Sequence, residues 1–200
     1  MPKIPADDNP VFYDVVIAGA GPAGATLARI AGKKLKILVL ERRTFQEPLY
    51  SGLQKCCGGL LDSSAQEMLA RFGLALPDTV LSGPQPFGIR AIDLNSGQSR
   101  NFQRNYINID REAFDQWLCS LIPPAVNLQY NAWYQNHREA DGHIMVRYTQ
   151  QGQSFEVKTK VLAGADGRTR SRDWRPALSR KSTGLSAVWW ACQFMNFMSC

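Results

Sequence analysis

Residues 13–41 read YDVVIAGAGPAGATLARIAGKKLKILVLE, an apolar run, a glycine-rich turn, a helical segment and a second apolar run in succession. Val15-Val16-Ile17-Ala18 is a short apolar run with the composition of a buried parallel strand. It passes without a gap into Gly19-Ala20-Gly21-Pro22-Ala23-Gly24, the G-x-G-x-x-G spacing. A helical segment follows, in which Ala25, Leu27, Ala28 and Ile30 are expected to pack on a sheet. A second apolar strand, Ile37-Leu38-Val39-Leu40, ends on Glu41. Each part has a task in holding a dinucleotide. Gly19 permits the tight turn out of the strand, and Gly21 lets backbone approach a pyrophosphate at a helix N-terminus. Gly24 allows close packing of helix on strand. Glu41, 17 residues beyond Gly24, is placed to accept hydrogen bonds from the adenosine ribose. The alternative for the glycine spacing alone is a purely structural βαβ unit.

The chain has 200 residues, 44% of them hydrophobic, enough for one globular core. The polar start, residues 1–9, lacks the apolar region of a signal peptide. No run reaches the roughly 20 apolar residues of a membrane-spanning helix, since Gln193 and Asn196 interrupt the longest candidate. A cytoplasmic protein is expected, with no membrane span and with peripheral membrane contact left open. The five cysteines follow neither a disulfide framework nor a zinc spacing, and no metal site is expected. The net charge of +6 is uneven: residues 168–200 hold six Lys/Arg against one acid. A nucleic-acid partner would rest on that tail alone and is not expected.

The rest of the chain follows in order. Residues 1–12 form a proline-rich lead-in. Arg42 and Arg43 are either a solvated pair or include a residue covering the adenosine or pyrophosphate face. Residues 44–61 form a loop ending in Lys55-Cys56-Cys57-Gly58-Gly59-Leu60-Leu61, whose paired glycines imply a close backbone approach. Cys57 reads either as a small buried hydrophobe or as a site residue. Asp62-Ser63-Ser64 starts a helix, Ala65 to Phe72, which Gly73 stops. Alternation from Phe87, with a turn at Asn95-Ser96-Gly97-Gln98, predicts a β-hairpin ending near Arg104. Asp110 caps a helix with apolar positions at Phe114, Trp117, Leu118 and Leu121. Arg111 lies in its first turn, where the helix dipole disfavours a cation, so a phosphate contact is expected rather than a surface salt bridge. Val126 to Trp133 reads as one strand. His143 to Thr149 and Phe155 to Lys160 read as a second hairpin, with His137 and His143 solvent-exposed and without a catalytic role. A short apolar strand then enters Gly164-Ala165-Asp166-Gly167, repeating the logic of the first turn.

In this order, GAGPAG with Glu41, CGGL, a hairpin, DREAFDQWL and VLAGADG resemble the FAD-dependent oxidoreductases of the geranylgeranyl reductase type. The resemblance covers about residues 12–167 and rests on five separated motifs. It implies an FAD/NAD(P)-binding Rossmann-like fold of the glutathione-reductase type, a parallel sheet with inserted antiparallel β-hairpins. It further implies that Gly19, Ala20, Gly21, Ala23 and Gly24 hold the FAD pyrophosphate, that Glu41 and Arg42 serve the adenosine end, and that Cys57, Gly58 and Leu60 run beside the flavin. Arg111 matches a cofactor-contacting arginine, Ala132 a residue whose backbone meets the adenine, and Asp166 and Gly167 a second cofactor fingerprint. Cys56 stands where the family commonly has proline.

The resemblance implies hydride transfer from reduced flavin to an unsaturated, isoprenoid- or lipid-like small molecule, with NAD(P)H a candidate reductant. The expected organisation is a lead-in (1–12), an FAD-binding portion (13–167) with the start of a substrate domain at 87–104, and an atypical basic tail (168–200). Family members run to nearly twice this length and carry a third flavin motif absent here, so the C-terminal part of the fold is expected to be missing. A truncated or frame-shifted reading is the expectation for the tail, and a non-catalytic remnant is the first alternative. An NAD(P)-dependent dehydrogenase, which shares only the βαβ unit, is the second.

Overall fold

The structure, a computed structural model, describes residues 10–45, 58–140 and 142–167. These fall into two units, residues 10–45 with 118–167 and residues 58–117. In chain order the elements are β1 (Phe12–Ala18), α1 (Pro22–Ala31), β2 (Ile37–Leu40), β3 (Leu60–Leu61), α2 (Ser63–Arg71) and a 3-10 turn (Asp78–Val80). They continue with β4 (Gly88–Ile92), β5 (Ser99–Gln103), β6 (Ile107–Asn108) and α3 (Arg111–Ser120). The last four are β7 (Asn127–Gln129), β8 (Ala132–Ala140), β9 (His143–Gln150) and β10 (Gln153–Gly164).

The first unit is a six-stranded sheet in the order β7-β2-β1-β10-β9-β8. Strands β7, β2, β1 and β10 are parallel, and β10, β9 and β8 form an antiparallel meander. β2 is buried at every position, as its unbroken apolar run requires of an interior strand. Val16, Leu38, Leu40 and Leu162 from the parallel strands share one core with Ile144, Val146, Tyr148 and Val157 from the meander. Ile17, Ile37 and Val39 alternate with the first set along β1 and β2 and so face the other side. There the small side chains Ala25 and Ala28 of α1 are buried. Ile30, expected on that face, is instead 52% exposed; the two buried alanines already bring the helix close, and Ile30 lies off their stripe.

The structure departs from the sequence expectations at four points. Val126–Trp133 is two strands, because Asn131 takes a left-handed backbone (φ 54°) that breaks the ladder between β7 and β8. The second hairpin is a three-stranded meander, whose last loop, Gln151-Gly152, has φ of 49° and 77°, the signature of a two-residue type I′ connection. The apolar strand before Gly164 is the far end of β10, which pairs with β9 through Thr159 and with β1 from Lys158 to Gly164. The two histidines are half-buried rather than exposed. The hydroxyl of Tyr134 lies 2.6 Å from His137 Nδ1, and His143 meets the Phe12 ring edge-on. Burial lowers the pKa of His137, against the pull of Glu139.

In the second unit β3 pairs with β6, and a backbone network continues the pairing. Gly59 O accepts from Ile109 N–H (2.7 Å), and Val80 O accepts from Asp110 N–H (2.9 Å). The Asp62 carboxylate caps α2 by accepting from Ala65 N–H at 2.8 Å, and Gly73 (φ 67°) ends it. Asp110 caps α3 through Glu112 and Ala113 N–H. The hairpin β4–β5 forms as the alternation predicts, yet all ten of its residues are exposed. Phe87 and Leu94 beside it are 86% and 92% exposed.

The tightest constraint lies in the first unit. A Cβ on Gly24 would stand 1.9 Å from Gly19 O, whereas Gly73 has open space around it. Gly24→Ala is expected to cost about 3 kcal/mol in urea denaturation, the upper end for overpacking. Gly73→Ala should cost about 1 kcal/mol, for its left-handed backbone alone. Equal losses would contradict the contact.

Candidate functional site

The parallel strands β1 and β10 end side by side, with Ala18 opposite Gly164, and the turns that leave them interlock. Ala165 N–H donates to Ala18 O at 2.7 Å, and Gly19 N–H donates to Leu40 O at 2.8 Å. Gly19 has φ 103°, and a Cβ there would meet Ala165 O at 2.5 Å and Asp166 N at 2.9 Å. The GAGPAG and GADG turns thus form one backbone cradle at the carboxyl end of the sheet, where open α/β sheets take their ligands. α1 starts from this cradle with Pro22 at its first turn and no side-chain cap on its amides. Gly21 is buried, Ala23 and Asp166 are half-buried, and Gly167 is exposed with φ 83°. An uncapped helix start beside glycine backbone suits a phosphate group.

Glu41 closes one side of the cradle and is only 4% exposed. Its Oε2 accepts from Ala20 N–H at 2.8 Å, so the acid at the end of β2 pins the first glycine turn. Oε1 accepts from the backbone N–H and the Nε–H of Arg43, both at 3.0 Å. Burial by itself pushes the carboxyl up; the hydrogen bond and charge of Arg43 and the two backbone amides outweigh it and hold Glu41 below the ordinary carboxylate value. The backbone of Glu41 is fixed too: its N–H donates to Gln129 O and its carbonyl accepts from Ala132 N–H. Ala132 therefore sits beside Glu41, at the start of β8. Of the two arginines, Arg43 makes the ion pair, while Arg42 lies over the Trp133 ring, 5.8 Å from its centroid.

The site has two further members, Cys119 and Tyr130, that the sequence did not point to. The Cys119 thiol, buried in the last turn of α3, donates to Ala20 O at 3.3 Å. Both polar groups of Ala20 are therefore held by side chains, Glu41 on the amide and Cys119 on the carbonyl. The Tyr130 hydroxyl is pushed up to about 12, first by burial, then by Cys119 and Glu41 nearby. The available signal was helical spacing: Cys119 follows Leu118 on the buried stripe of α3. Nothing in local sequence pointed to Tyr130, which reaches the site through the break at Asn131.

The remaining candidates lie in the second unit. Gly58 is exposed with open space around it, while Gly59 makes the close approach, to the chain's own strand: its Cβ would stand 2.2 Å from Ile109 O. Leu60 is exposed and Leu61 fully buried. Arg111 pairs with Asp115, one turn along α3, with Nε to Oδ1 at 3.0 Å. That pair is a buried ion pair, not the surface salt bridge weighed against a phosphate contact. Cys57 lies outside the described residues. Among the described residues no cluster of metal ligands occurs, and no helix is long and apolar enough to cross a membrane.

No protein-family model matches the chain. Residues of the chain are 37% identical over 155 positions to Protein CbrA of Escherichia coli K12 and of Shigella sonnei, covering 78% of this chain and 43% of those proteins. The chain thus spans less than half the length of the curated relatives it matches. Among solved structures, a geranylgeranyl bacteriochlorophyll reductase-like protein of Thermoplasma acidophilum aligns with TM-score 0.64 at 22% identity, over 78% of this chain and 40% of that one. The myxobacterial FAD-dependent chondrochloren halogenase CndH aligns with TM-score 0.63 at 19% identity, over 81% and 39%. The fold is the Rossmann-like fold of FAD-binding oxidoreductases, of which this chain carries part.

The Glu41 environment has a measurable consequence. A carboxyl held below its ordinary value of 4.5 adds stability above that pH, lost as pH falls through the lowered value. Glu41→Gln is expected to lose about 2 kcal/mol at pH 7 and to flatten the acid limb in thermal melts from pH 7 to 3. An unchanged acid limb would contradict the assignment.

Proposed function

We propose that this chain is the adenosine- and pyrophosphate-binding portion of an FAD-dependent oxidoreductase. The observation that carries the reading is the interlocked pair of turns at the ends of β1 and β10, closed by buried Glu41. The cradle fits the group: Gly19 and Gly24 let the two turns and the helix start close on one another as bare backbone, and no side chain caps the amides at the start of α1.

Gly19, Ala20, Gly21, Ala23 and Gly24 would hold the pyrophosphate, with Asp166 and Gly167 on the adjoining turn. Glu41 would receive the adenosine ribose, and Arg42 and the backbone near Ala132 would border the adenine. Cys57, Gly58, Leu60 and Arg111 are assigned to the cofactor by their motifs, following the resemblance. The roles of the chain's own side chains here are to orient and to neutralise. Glu41 and Cys119 fix the two polar groups of Ala20, so the following peptide cannot rotate. Pro22 sets the first helical turn without needing a hydrogen-bond partner. Bound FAD supplies the redox chemistry, hydride transfer to an unsaturated small molecule, with NAD(P)H as the reductant. The substrate class, isoprenoid- or lipid-like, rests on the order of the five motifs; the shared fold alone supports several chemistries. The cytoplasm is the proposed location.

The test is spectroscopic. The full chain, incubated with FAD and desalted, is expected to be yellow, with bands near about 370 and 450 nm. A protein that stays colourless, or that takes NAD(P)H but not FAD in equilibrium titration, would overturn the reading.

A further inference from the structure

The Glu41 carboxylate has about four positions at which it can accept a hydrogen bond. Two are taken by backbone: Ala20 N–H on Oε2 and Arg43 N–H on Oε1. These donors belong to the turn and to the strand end, and they stay where the fold puts them. The other two are taken by the Arg43 guanidinium, through Nε on Oε1 at 3.0 Å and Nη2 on Oε2 at 3.4 Å. The side chains of Arg43 and Glu41 are 11% and 5% exposed, so the guanidinium covers the carboxylate as well as bonding to it. It also lies 4.9 Å from the centre of the Phe45 ring, which buttresses it in this position.

A ribose diol brings two neutral hydroxyl donors. Its acceptor sites on Glu41 are those the guanidinium fills. We propose that Arg43 is an internal competitor for the ribose acceptor, and that its side chain must swing off Glu41 before a nucleotide's ribose hydroxyls are received there. The inference rests on Glu41 being the ribose acceptor, as argued above. The exchange replaces an ion pair between two full charges by hydroxyl–carboxylate bonds in which only the acceptor is charged, so it opposes binding. The same pair keeps a buried carboxylate compensated, so Arg43 trades affinity for a folded, ionised Glu41. The geometry of the turn is then independent of whether a nucleotide is present, because the Ala20 bond survives the exchange.

The experiment compares ADP with 2′,3′-dideoxy-ADP, which lacks both ribose hydroxyls, by calorimetric titration of the full chain. Arg43→Ala is expected to bind ADP about tenfold more tightly than the parent, the effect of about 1.4 kcal/mol of relieved competition, and to bind the dideoxy compound unchanged. Arg43→Lys, which keeps a charge beside Glu41 but loses the fork, covers the case in which the alanine variant does not fold. It should shift ADP binding in the same direction by a smaller factor, at a melting temperature near the parent's. Weaker or unchanged ADP binding in the variants, with the parent binding normally, would overturn the competitor role and leave the FAD reading intact. A parent and variants that all fail to bind ADP would overturn both.

Discussion

The first unit depends on one three-way backbone contact. Gly24 sits against Gly19 O, and Gly19 sits against the Ala165 carbonyl, so helix start, first turn and second turn occupy a space with no room for side chains. Everything near the cradle follows from it. α1 can lie close enough to bury Ala25 and Ala28, β1 and β10 can end in step, and the amides at the start of α1 remain uncapped. The contact is steric and nearly all backbone, which is why glycine is needed at positions 19 and 24 rather than any particular chemistry.

Electrostatics then makes the cradle specific. Glu41 is a buried acid whose ionisation depends on Arg43 and on the Ala20 and Arg43 amides. Cys119 takes the carbonyl of the same Ala20. One peptide on each side of Ala20 is thereby fixed by side chains from the residue after β2 and from α3, far apart in sequence. A turn held this way presents its remaining amides without reorganisation, the condition for binding an anionic group well.

What was legible in the sequence were features set by local sterics and local hydrogen bonding. The glycine spacing, the Asp62 and Asp110 caps and the turn of the β4–β5 hairpin each follow from residues within a few positions of one another. What was not legible depended on partners brought by topology. Asn131 breaks a run that otherwise reads as one strand, and that break delivers Tyr130 to the cradle. Arg42 and Arg43 are chemically alike, and the direction of the chain after β2 decides which one meets Glu41. Gly58 and Gly59 are adjacent, and only the pairing of β3 with β6 shows that Gly59 carries the close approach. The Arg111–Asp115 spacing of four was present in the sequence, and the two residues pair along the helix. The β4–β5 hairpin shows the converse: alternation marked two strands correctly but did not mark a covered face.

The proposed binding of FAD at the cradle between β1 and β10, closed by Glu41, is open to direct measurement. Amide resonances followed during titration of the isotope-labelled full chain with FAD test it most directly. The largest shifts are expected at Gly19, Gly21, Gly24, Glu41, Ala132 and Asp166. Shifts centred instead on the groove of Asn131, Trp133, Gln135 and Thr149, with the glycine turn unmoved, would contradict it.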